Sequence, residues 1–387
     1  MGWSTPVGSA VAARATTGRV AAPCTSGASG HPCPQHLCEQ EHTISHRSAT
    51  SLRRVGSAAV LVATLTACSQ SGGGAADGQS SYYAGENVDL VVPYDPGGGY
   101  DIYARGLAPY FAECLDANVV VRNEPGAGGL LATNKTAAAG PDERRVQIVN
   151  SVGTASAQIA GADGVAFDMA ELSVVGRLMS APDMVSVAAD SDIQDFQDVV
   201  DSTEPVRFVA TGPGSNEYIT AVALSSIYGF PLEMVTGFGG TGDARLAVLS
   251  GDADAHVTTW DSGLAAVQSG EIKPIVVASD EQVELLPETP VATEFTPEAK
   301  ESQALLQSLV ELQELGRGLF APPGLPEERL TELREAFECA TSNEELISDM
   351  ETQQRVIDVV TGDEHATQVR NVLDASPEFT AVLKESF

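Results

Sequence analysis

Short apolar runs alternate with amphipathic stretches along most of the chain after residue 87. Residues 88–93 are apolar and β-branched, which predicts a strand, and residues 102–114 have the apolar spacing of a helix. The pattern then repeats, with a predicted strand at 119–123 and a predicted helix at 130–139. A glycine-rich turn separates strand from helix in both units. These two units predict the start of an α/β fold.

The alternation continues to the C-terminus. Further strands are predicted at 146–150, 206–210 and 275–278, and further helices at 217–228, 244–250, 327–340, 344–360 and 365–387. A chain of 387 residues exceeds what one hydrophobic core usually supports. We therefore expect two lobes, each a mostly parallel sheet flanked by helices.

Two segments are expected to carry the chain between the lobes. The first is Pro182 with the apolar residues 184–188, and the second is the glycine- and proline-rich segment 316–324. The first lobe would then comprise residues 86–181 and 316–387, and the second lobe residues 182–315.

Five small-residue turns follow predicted strands and precede predicted helices. They lie at 97–99, 126–129, 151–156, 212–215 and 239–241. A helix start leaves backbone N–H groups unpaired and carries partial positive charge, so it attracts anions. One glycine triplet alone is more often a plain tight turn. Five turns at the same end of the strands favour a ligand cleft, because ligands of parallel sheets bind beyond the carboxyl ends of the strands.

The first two turns also carry a family resemblance. Residues 93–101, Pro-Tyr-Asp-Pro-Gly-Gly-Gly-Tyr-Asp, with Arg105, and residues 121–129, Val-Arg-Asn-Glu-Pro-Gly-Ala-Gly-Gly, resemble the two signature segments of Bug-type solute-binding proteins. These proteins are the extracytoplasmic receptors of tripartite tricarboxylate transporters. The resemblance runs from about residue 88 to the C-terminus. It implies a type II periplasmic-binding-protein fold with a hinge of two crossings, no cofactor, and a di- or tricarboxylate ligand delivered to membrane permease subunits.

The resemblance further implies that the first two turns hold the ligand carboxylate, while the turns of the second lobe close over the other end. The expected ligand-binding residues are Tyr94, Pro96, Gly97, Gly98, Gly99, Asp101, Ala127, Gly128, Gly129, Ser151, Thr154, Thr211, Gly214, Ser215, Asn216, Gly239, Gly240, Thr241, Trp260 and Asp261. For Asp101 the alternative is structural, a helix N-cap that also pairs with Arg105. Tyr94, Tyr100, Asn216 and Trp260 could equally serve packing or turn formation.

The net charge and the residue composition limit which partners and activities are possible. A net charge of −32 makes nucleic acids and anionic lipid surfaces poor partners. It does not exclude an anionic ligand, because exposed charges are screened over about 8 Å at physiological salt. A charge-assisted hydrogen bond inside a cleft contributes about 1.5–3 kcal/mol. Catalysis is poorly supported, since only His256 and His365 are histidines after residue 67 and neither a P-loop nor a nucleophile elbow occurs.

The N-terminal region predicts export. Arg53 and Arg54 precede the apolar residues 55–65, and Leu65-Thr66-Ala67-Cys68 resembles the lipobox of bacterial lipoproteins. We expect residues 1–67 to be an extension and signal peptide, Cys68 to be lipidated, and residues 68–85 to form a flexible tether. The protein would then be anchored to the membrane outside the cytoplasm. An ordinary signal peptide with an incidental cysteine is the alternative, and Cys33 and Cys38 with nearby histidines lack regular zinc-site spacing.

Two cysteines remain after lipidation, Cys114 and Cys339. An even pair outside the cytoplasm favours a disulfide, with two buried free thiols as the alternative.

We expect a monomer. Three other functions stay open: a sensor for a signalling partner, an enzyme that binds a phosphate with its glycine turns, and a receptor for an amino acid or another neutral-headed compound.

Overall fold

The computed structural model describes residues 81–387. The expected signal peptide, the lipidation site Cys68 and the expected tether as far as residue 80 lie outside the described residues. The tether was expected to reach residue 85, but Tyr83 is buried in the core of the first lobe and Gly85 N donates to Asp116 O, so residues 81–85 belong to the folded lobe. Within 81–387, no helix is both long enough and apolar enough to cross a membrane.

Strands and helices alternate through the described region. The strands are β1 (Asn87–Val92), β2 (Asn118–Asn123), β3 (Arg145–Asn150), β4 (Ser173–Met179), β5 (Asp183–Ala188), β6 (Val206–Ala210), β7 (Leu232–Thr236), β8 (Ala255–Thr259), β9 (Ile272–Val277), β10 (Arg317–Ala321) and β11 (Val360–Thr361). The helices are α1 (Gly99–Leu115), α2 (Leu130–Ala138), α3 (Ser151–Ala160), α4 (Phe196–Val200), α5 (Asn216–Tyr228), α6 (Thr241–Leu249), α7 (Trp260–Gln268), α8 (Lys300–Gln313), α9 (Glu327–Thr341), α10 (Glu344–Thr352), α11 (Gly362–Leu373) and α12 (Pro377–Lys384).

The strands form two separate sheets. The first has the order β11-β4-β10-β3-β1-β2 and the second the order β7-β6-β8-β5-β9. Most strands of each sheet run the same way, as expected. The exceptions are β10, which is antiparallel to both β3 and β4, the edge strand β11, which is antiparallel to β4, and β5, which is antiparallel to β8 and β9. The two-lobed α/β fold class expected from the sequence is thus confirmed.

The two segments expected to cross between lobes are largely strands of the sheets. The chain leaves the first sheet at the end of β4 and enters the second at β5, so the connection itself is only residues 180–182. It returns from α8 to β10 through residues 314–316. Both β5 and β10 are completely buried and occupy inner positions of their sheets. Residues 184–188 and 318–321 are short and mostly apolar runs, which are typical of strands that are covered on both faces.

Other differences concern the helices. Residues 151–156 were expected to form a loop but lie in α3, which starts directly after β3 because Asn150 caps it. The helix expected at 344–360 ends at Thr352, and the last predicted helix is divided into α11 and α12, with Pro377 at the start of α12. Helix α12 packs on α3 of the first lobe and also on α5 and α8 of the second, so it joins the two lobes.

Cys114 and Cys339 form a disulfide in the structure. They lie near the C-terminal ends of α1 and α9, two helices that pack against each other in the first lobe. The bond joins positions that are 225 residues apart in the sequence. It therefore ties the C-terminal part of the first lobe to the N-terminal part.

Candidate functional site

A cleft of about 550 Å³ lies between the two sheets. Four of the five small-residue turns contribute to its walls, and Asn150, directly before the remaining one, does so as well. The lining residues are Tyr94, Asp95, Pro96, Gly98, Gly99, Tyr100, Gly128, Asn150, Asp183, Thr211, Gly214, Ser215, Asn216, Glu217, Gly239, Gly240, Thr241, Thr258, Thr259, Ser262 and Arg317. The turns therefore meet at one place, which is what a shared ligand site requires.

The N-terminus of α1 presents free backbone donors to this cleft. Gly98 precedes the first helical residue and has no side chain to cap the helix. Among the described residues, no acceptor bonds the N–H groups of Gly99 and Tyr100. Unpaired N–H groups at the start of a 17-residue helix form a site that favours negative charge.

Asp101 fixes the shape of this first turn. Its carboxylate accepts hydrogen bonds from Gly97 N, Arg105 Nε and Asn123 Nδ2, each at 2.9 Å. The expected pair with Arg105 is present, but Asp101 is the third residue of α1 and not its N-cap. Burial alone would raise the pKa of Asp101, but its three hydrogen-bond donors hold it below its ordinary value. The side chain acts behind the turn and does not line the cleft.

A chain of hydrogen bonds crosses the cleft between the lobes. The Tyr94 hydroxyl donates to the Gly128 carbonyl at 3.1 Å, and Asn150 Nδ2 donates to the Tyr94 oxygen at 3.0 Å. Asn150 Nδ2 also donates to Asn216 Oδ1 of the second lobe at 3.0 Å. Burial raises the pKa of Tyr94 to about 12, so its hydroxyl stays protonated and can donate. These bonds fix the positions of the second turn, the end of β3 and the start of α5 relative to one another.

The second-lobe wall is formed by the starts of α5 and α6. Ser215 caps α5, with its hydroxyl accepting from Tyr218 N at 3.3 Å, and Gly240 precedes α6 without a side-chain cap. Within the described region, the N–H groups of Asn216 and Thr241 have no acceptor. This wall thus also offers main-chain donors, although each of its helices carries a carboxylate in its first turn.

Arg317, the first residue of β10, is a buried cation at the cleft. Its side chain is 3% exposed and lies 3.3 Å from Asp261, which is also bonded by Arg355 Nη1 at 2.5 Å. The guanidinium carbon is 5.0 Å from the centre of the Tyr100 ring. Burial opposes ionisation of Asp261, but the two guanidinium groups hold its pKa below the ordinary value. Arg317, Arg355 and Asp261 together carry one net positive charge.

Asp183, the first residue of β5, is the corresponding buried acidic residue. Its Oδ2 accepts from Thr220 Oγ1 at 2.6 Å and from Gln313 Nε2 at 3.3 Å. Burial, together with the negative charge of Glu217, raises the pKa of Asp183 to about 7. β5 and β10 thus begin with an acidic and a basic residue, both buried at the cleft. Among the described residues, no group of three or more acidic, histidine or cysteine side chains is placed to hold a metal ion.

The structure brings twelve of the twenty expected residues to the cleft wall. They are Tyr94, Pro96, Gly98, Gly99, Gly128, Thr211, Gly214, Ser215, Asn216, Gly239, Gly240 and Thr241. These residues lie in the turns that follow strands or at the helix starts directly after them, the places that the strand-turn-helix pattern and the family resemblance together indicated.

The other eight expected residues do not line the cleft. Ser151 and Thr154 are buried within α3, and the Ser151 N–H donates to Gly316 O at 3.1 Å. Trp260 packs in the core beside Leu264 and borders a different groove. The remaining five, which support the turns or are turned away from the cleft, are Gly97, Asp101, Ala127, Gly129 and Asp261.

The sequence did not identify four polar residues that line the cleft, namely Asn150, Asp183, Glu217 and Arg317. Asn150 ends β3 directly before the third turn, a position that could have indicated a cap and a cleft residue. Glu217 was assigned to a helix without a role, although it follows a cleft turn. Asp183 and Arg317 gave no local signal, because their positions depend on β5 and β10 being inner strands.

Solved structures of low sequence identity share this fold. MatC from Rhodopseudomonas palustris, whose structure contains bound malate, matches with a TM-score of 0.61 and 23% identity, covering 77% of this chain and 99% of that one. Rpa4515 of R. palustris, whose structure is described with adipate, matches with a TM-score of 0.63 and 17% identity, covering 77% and 97%. These likenesses establish a common two-lobed architecture.

Sequence comparison agrees with the fold. A UPF0065 protein of Bordetella pertussis is 23% identical over 301 residues, which cover 75% of this chain and 84% of that protein. The family model described as the tripartite tricarboxylate transporter family receptor matches residues 103–384, which is well over half of the chain. The family resemblance expected from the sequence is thereby confirmed. The chain belongs to the tripartite tricarboxylate transporter receptor family, and it is a solute-binding protein rather than an enzyme.

Proposed function

We propose that this protein is an extracytoplasmic receptor that captures a small carboxylate and delivers it to the membrane permease of a tripartite tricarboxylate-type transporter. Membership of the receptor family supports the role in solute uptake. The malate and adipate in the two related structures are both small carboxylates. The proposal assigns this class of ligand to the cleft between the lobes.

The free N–H groups at the start of α1 carry the proposal. Gly98 and Gly99 have no side chains, so a ligand carboxylate can approach the main chain closely. Arg317 adds one buried positive charge below this turn. A hydrogen bond to a charged group contributes about 1.5–3 kcal/mol, so three or four such bonds are of the order needed for micromolar affinity, about 8 kcal/mol.

Closure of the two lobes is the second part of the proposal. We place the first lobe at 86–181 and 316–387 and the second at 182–315. The two crossings are tied together, because the Ser180 hydroxyl donates to Glu314 Oε1 at 3.1 Å. They form a short hinge beside the cleft, and the Asn150–Asn216 bond holds the closed arrangement. A ligand that touches both walls therefore shifts the population towards closure.

Calorimetry on the purified protein tests the ligand class. The titrated compounds are malate, succinate, glutarate, adipate and citrate, with glucose and inorganic phosphate as controls. We expect at least one carboxylate to bind with a dissociation constant of about micromolar or lower, while the controls do not bind. Binding of phosphate alone, or of none of these carboxylates and none of the amino-carboxylates β-alanine, γ-aminobutyrate and 5-aminovalerate, would contradict the proposal.

The membrane anchor is a separate proposal. A thioether-linked lipid at Cys68 would hold a monomeric receptor near its permease, with residues 69–80 as the spacer, because Tyr83 is already buried in the first lobe. Expression of the full chain and of Cys68→Ser in a bacterial host separates the alternatives. Wild-type protein is expected in the membrane fraction and the variant in the soluble extracytoplasmic fraction. Equal distribution of the two proteins would contradict lipidation at this residue.

A further inference from the structure

The second-lobe wall of the cleft contains two carboxyl groups that the binding of a simple carboxylate does not use. Asp183 is 1% exposed, and its Oδ2 atom is occupied by Thr220 and Gln313. Its Oδ1 atom is also buried but has no hydrogen-bond partner among the described residues. Because a buried acceptor without a partner costs about 1–3 kcal/mol, this oxygen is a position where a ligand donor would be stabilised.

Glu217 is the second of these groups. It is the second residue of α5, is half-buried and lies on the same cleft wall. Its Oε2 atom accepts a long hydrogen bond of 3.4 Å from Thr211 Oγ1. In the described part of the chain, no lysine or arginine lies within salt-bridge distance of it. Its negative charge therefore faces the cleft without a protein counter-ion.

The cleft wall on the first lobe, in contrast, presents hydrogen-bond donors and a positive charge. The free N–H groups of α1 and the buried Arg317 lie on the first lobe. Arg317 has a further unsatisfied donor, because its Nε atom is buried and has no partner in the described region. Asp261 neutralises only one of the two guanidinium groups that it contacts. Apart from the exposed Asp95, the side-chain charge of the cleft is thus positive on the side of the first lobe and negative on the side of the second, where only the main-chain N–H groups of α5 and α6 act as donors without an acceptor among the described residues.

This asymmetry does not suit a dicarboxylate that spans the cleft. Its second carboxylate would face Asp183 and Glu217, and like charges opposed at a binding interface cost several kcal/mol. An ammonium group at the same place has three donors and a positive charge. It could bond the free Oδ1 atom of Asp183 and neutralise Glu217. Burial and the charge of Glu217 raise the pKa of Asp183, and the positive charge of Arg317 on the other wall only partly opposes this rise.

We propose that the ligand is an amino-carboxylate zwitterion, held by its carboxylate at the N-terminus of α1 near Arg317 and by its ammonium group at Asp183 and Glu217. The proposal rests on the carboxylate-receptor function and narrows its ligand class. It assigns to Glu217 and Asp183 the selection between a cationic and an anionic second group.

Matched ligand pairs test the proposal by calorimetry. Succinate is compared with β-alanine, glutarate with γ-aminobutyrate, and adipate with 5-aminovalerate, so that only the second charged group changes within a pair. We expect at least one amino compound to bind about tenfold or more tightly than its dicarboxylate partner. If the dicarboxylates bind and the amino compounds bind more weakly in all three pairs, the zwitterion proposal is wrong and the carboxylate function stands. If no compound binds, both fail.

The residue assignment is tested with Glu217→Gln, which keeps the size of the side chain and removes its charge. We expect the variant to lose about tenfold in affinity for the amino compound and to bind the matching dicarboxylate equally well or more tightly. Glu298→Gln, an exposed substitution in the second lobe, is the matched control and should change neither affinity.

A parallel loss for both compounds in Glu217→Gln would contradict a selective role. Asp183→Asn provides an independent variant, because the amide keeps an acceptor for Thr220 while the negative charge is lost. It should shift the preference in the same direction as Glu217→Gln. Unchanged preference in both variants would overturn the assignment.

Discussion

At the scale of single residues, the cleft depends on a few side chains that hold bare main-chain groups in position. Asp101 is the strongest example, since one buried carboxylate fixes the turn at Gly97, the helix at Arg105 and the next strand at Asn123. The glycines of the turn were predictable from the sequence because a strand precedes them and a helix follows them. The role of Asp101 behind the turn was not, because it depends on Asn123 of the neighbouring strand.

Asp101→Ala should destabilise the protein and weaken carboxylate binding. The substitution leaves Gly97 N without its acceptor and removes one of the two acceptors of Asn123 Nδ2, which keeps only Tyr94 O. We expect a loss of about 2–3 kcal/mol in the free energy of unfolding. Urea denaturation measures this loss. Asp142→Ala is the control, because the carboxylate of that residue is 85% exposed in its pair with Arg329 and should contribute less than about 1 kcal/mol. Equal effects of the two substitutions would contradict the structural role of Asp101.

Asp183 should give the stability a distinctive pH dependence. Its pKa is about 7 in the folded protein, above the ordinary value of 3.8, so the folded state binds the proton more tightly than the unfolded state. The contribution of this group is fully present below pH 4 and is lost as the pH rises to 7. Burial lowers the pKa of His256 and His365 to about 4, which gives the opposite slope over a similar range.

The comparison of wild type with Asp183→Asn isolates this group, because the histidines contribute equally to both proteins. We expect the stability of wild type relative to the variant to decrease as the pH rises from 4 to 7. Chemical denaturation at a series of pH values measures the difference. A difference that is constant over this range, or that increases, would contradict a raised pKa for Asp183.

At the scale of elements, β5 and β10, the inner strands that follow the two crossings, determine the chemistry of the cleft. β5 and β10 both begin at the hinge, and each begins with a buried charged residue. The sequence allowed the neighbouring strands and turns to be predicted, because local periodicity is sufficient for them. It did not allow Asp183 and Arg317 to be placed, because the insertion of β5 and β10 between other strands is a property of the sheets as a whole.

The disulfide between α1 and α9 should contribute to stability without changing ligand affinity. Cys114 lies near the C-terminal end of α1, whereas the cleft is at the N-terminal end of the same helix. We expect Cys339→Ala to lower the free energy of unfolding by about 2–4 kcal/mol, because the cross-link restricts the unfolded chain. Denaturation with and without reductant measures the effect, and calorimetry measures affinity. A large loss of affinity in a folded variant would contradict the separation of the disulfide from the site.

At the scale of the whole molecule, an acidic protein is proposed to bind a carboxylate. The net charge of −32 is spread over the chain and screened by salt, whereas the donors of α1 and Arg317 are concentrated at the cleft. The two lobes, joined by short crossings and by α12, bring donors from distant parts of the sequence to one place. Local geometry therefore decides which ligand binds.

Gly98→Ala tests most directly whether the bare main chain at the start of α1 binds the ligand. Gly98 has φ −79° and ψ 173°, which any residue adopts, and an added Cβ atom would meet only Asp95 O, at 4.0 Å. The fold should therefore be unchanged, while the methyl group enters the space that a carboxylate needs. Gly140→Ala, in a loop outside the cleft with no atom within 4 Å of the added Cβ, is the matched control.

The measurement is the calorimetric affinity for glutarate or γ-aminobutyrate, whichever binds wild type more tightly. The account predicts that Gly98→Ala raises the dissociation constant by about tenfold or more at unchanged melting temperature, and that Gly140→Ala leaves both values unchanged. An unaltered affinity in a folded Gly98→Ala variant would contradict the claim that main-chain groups of this turn hold the carboxylate.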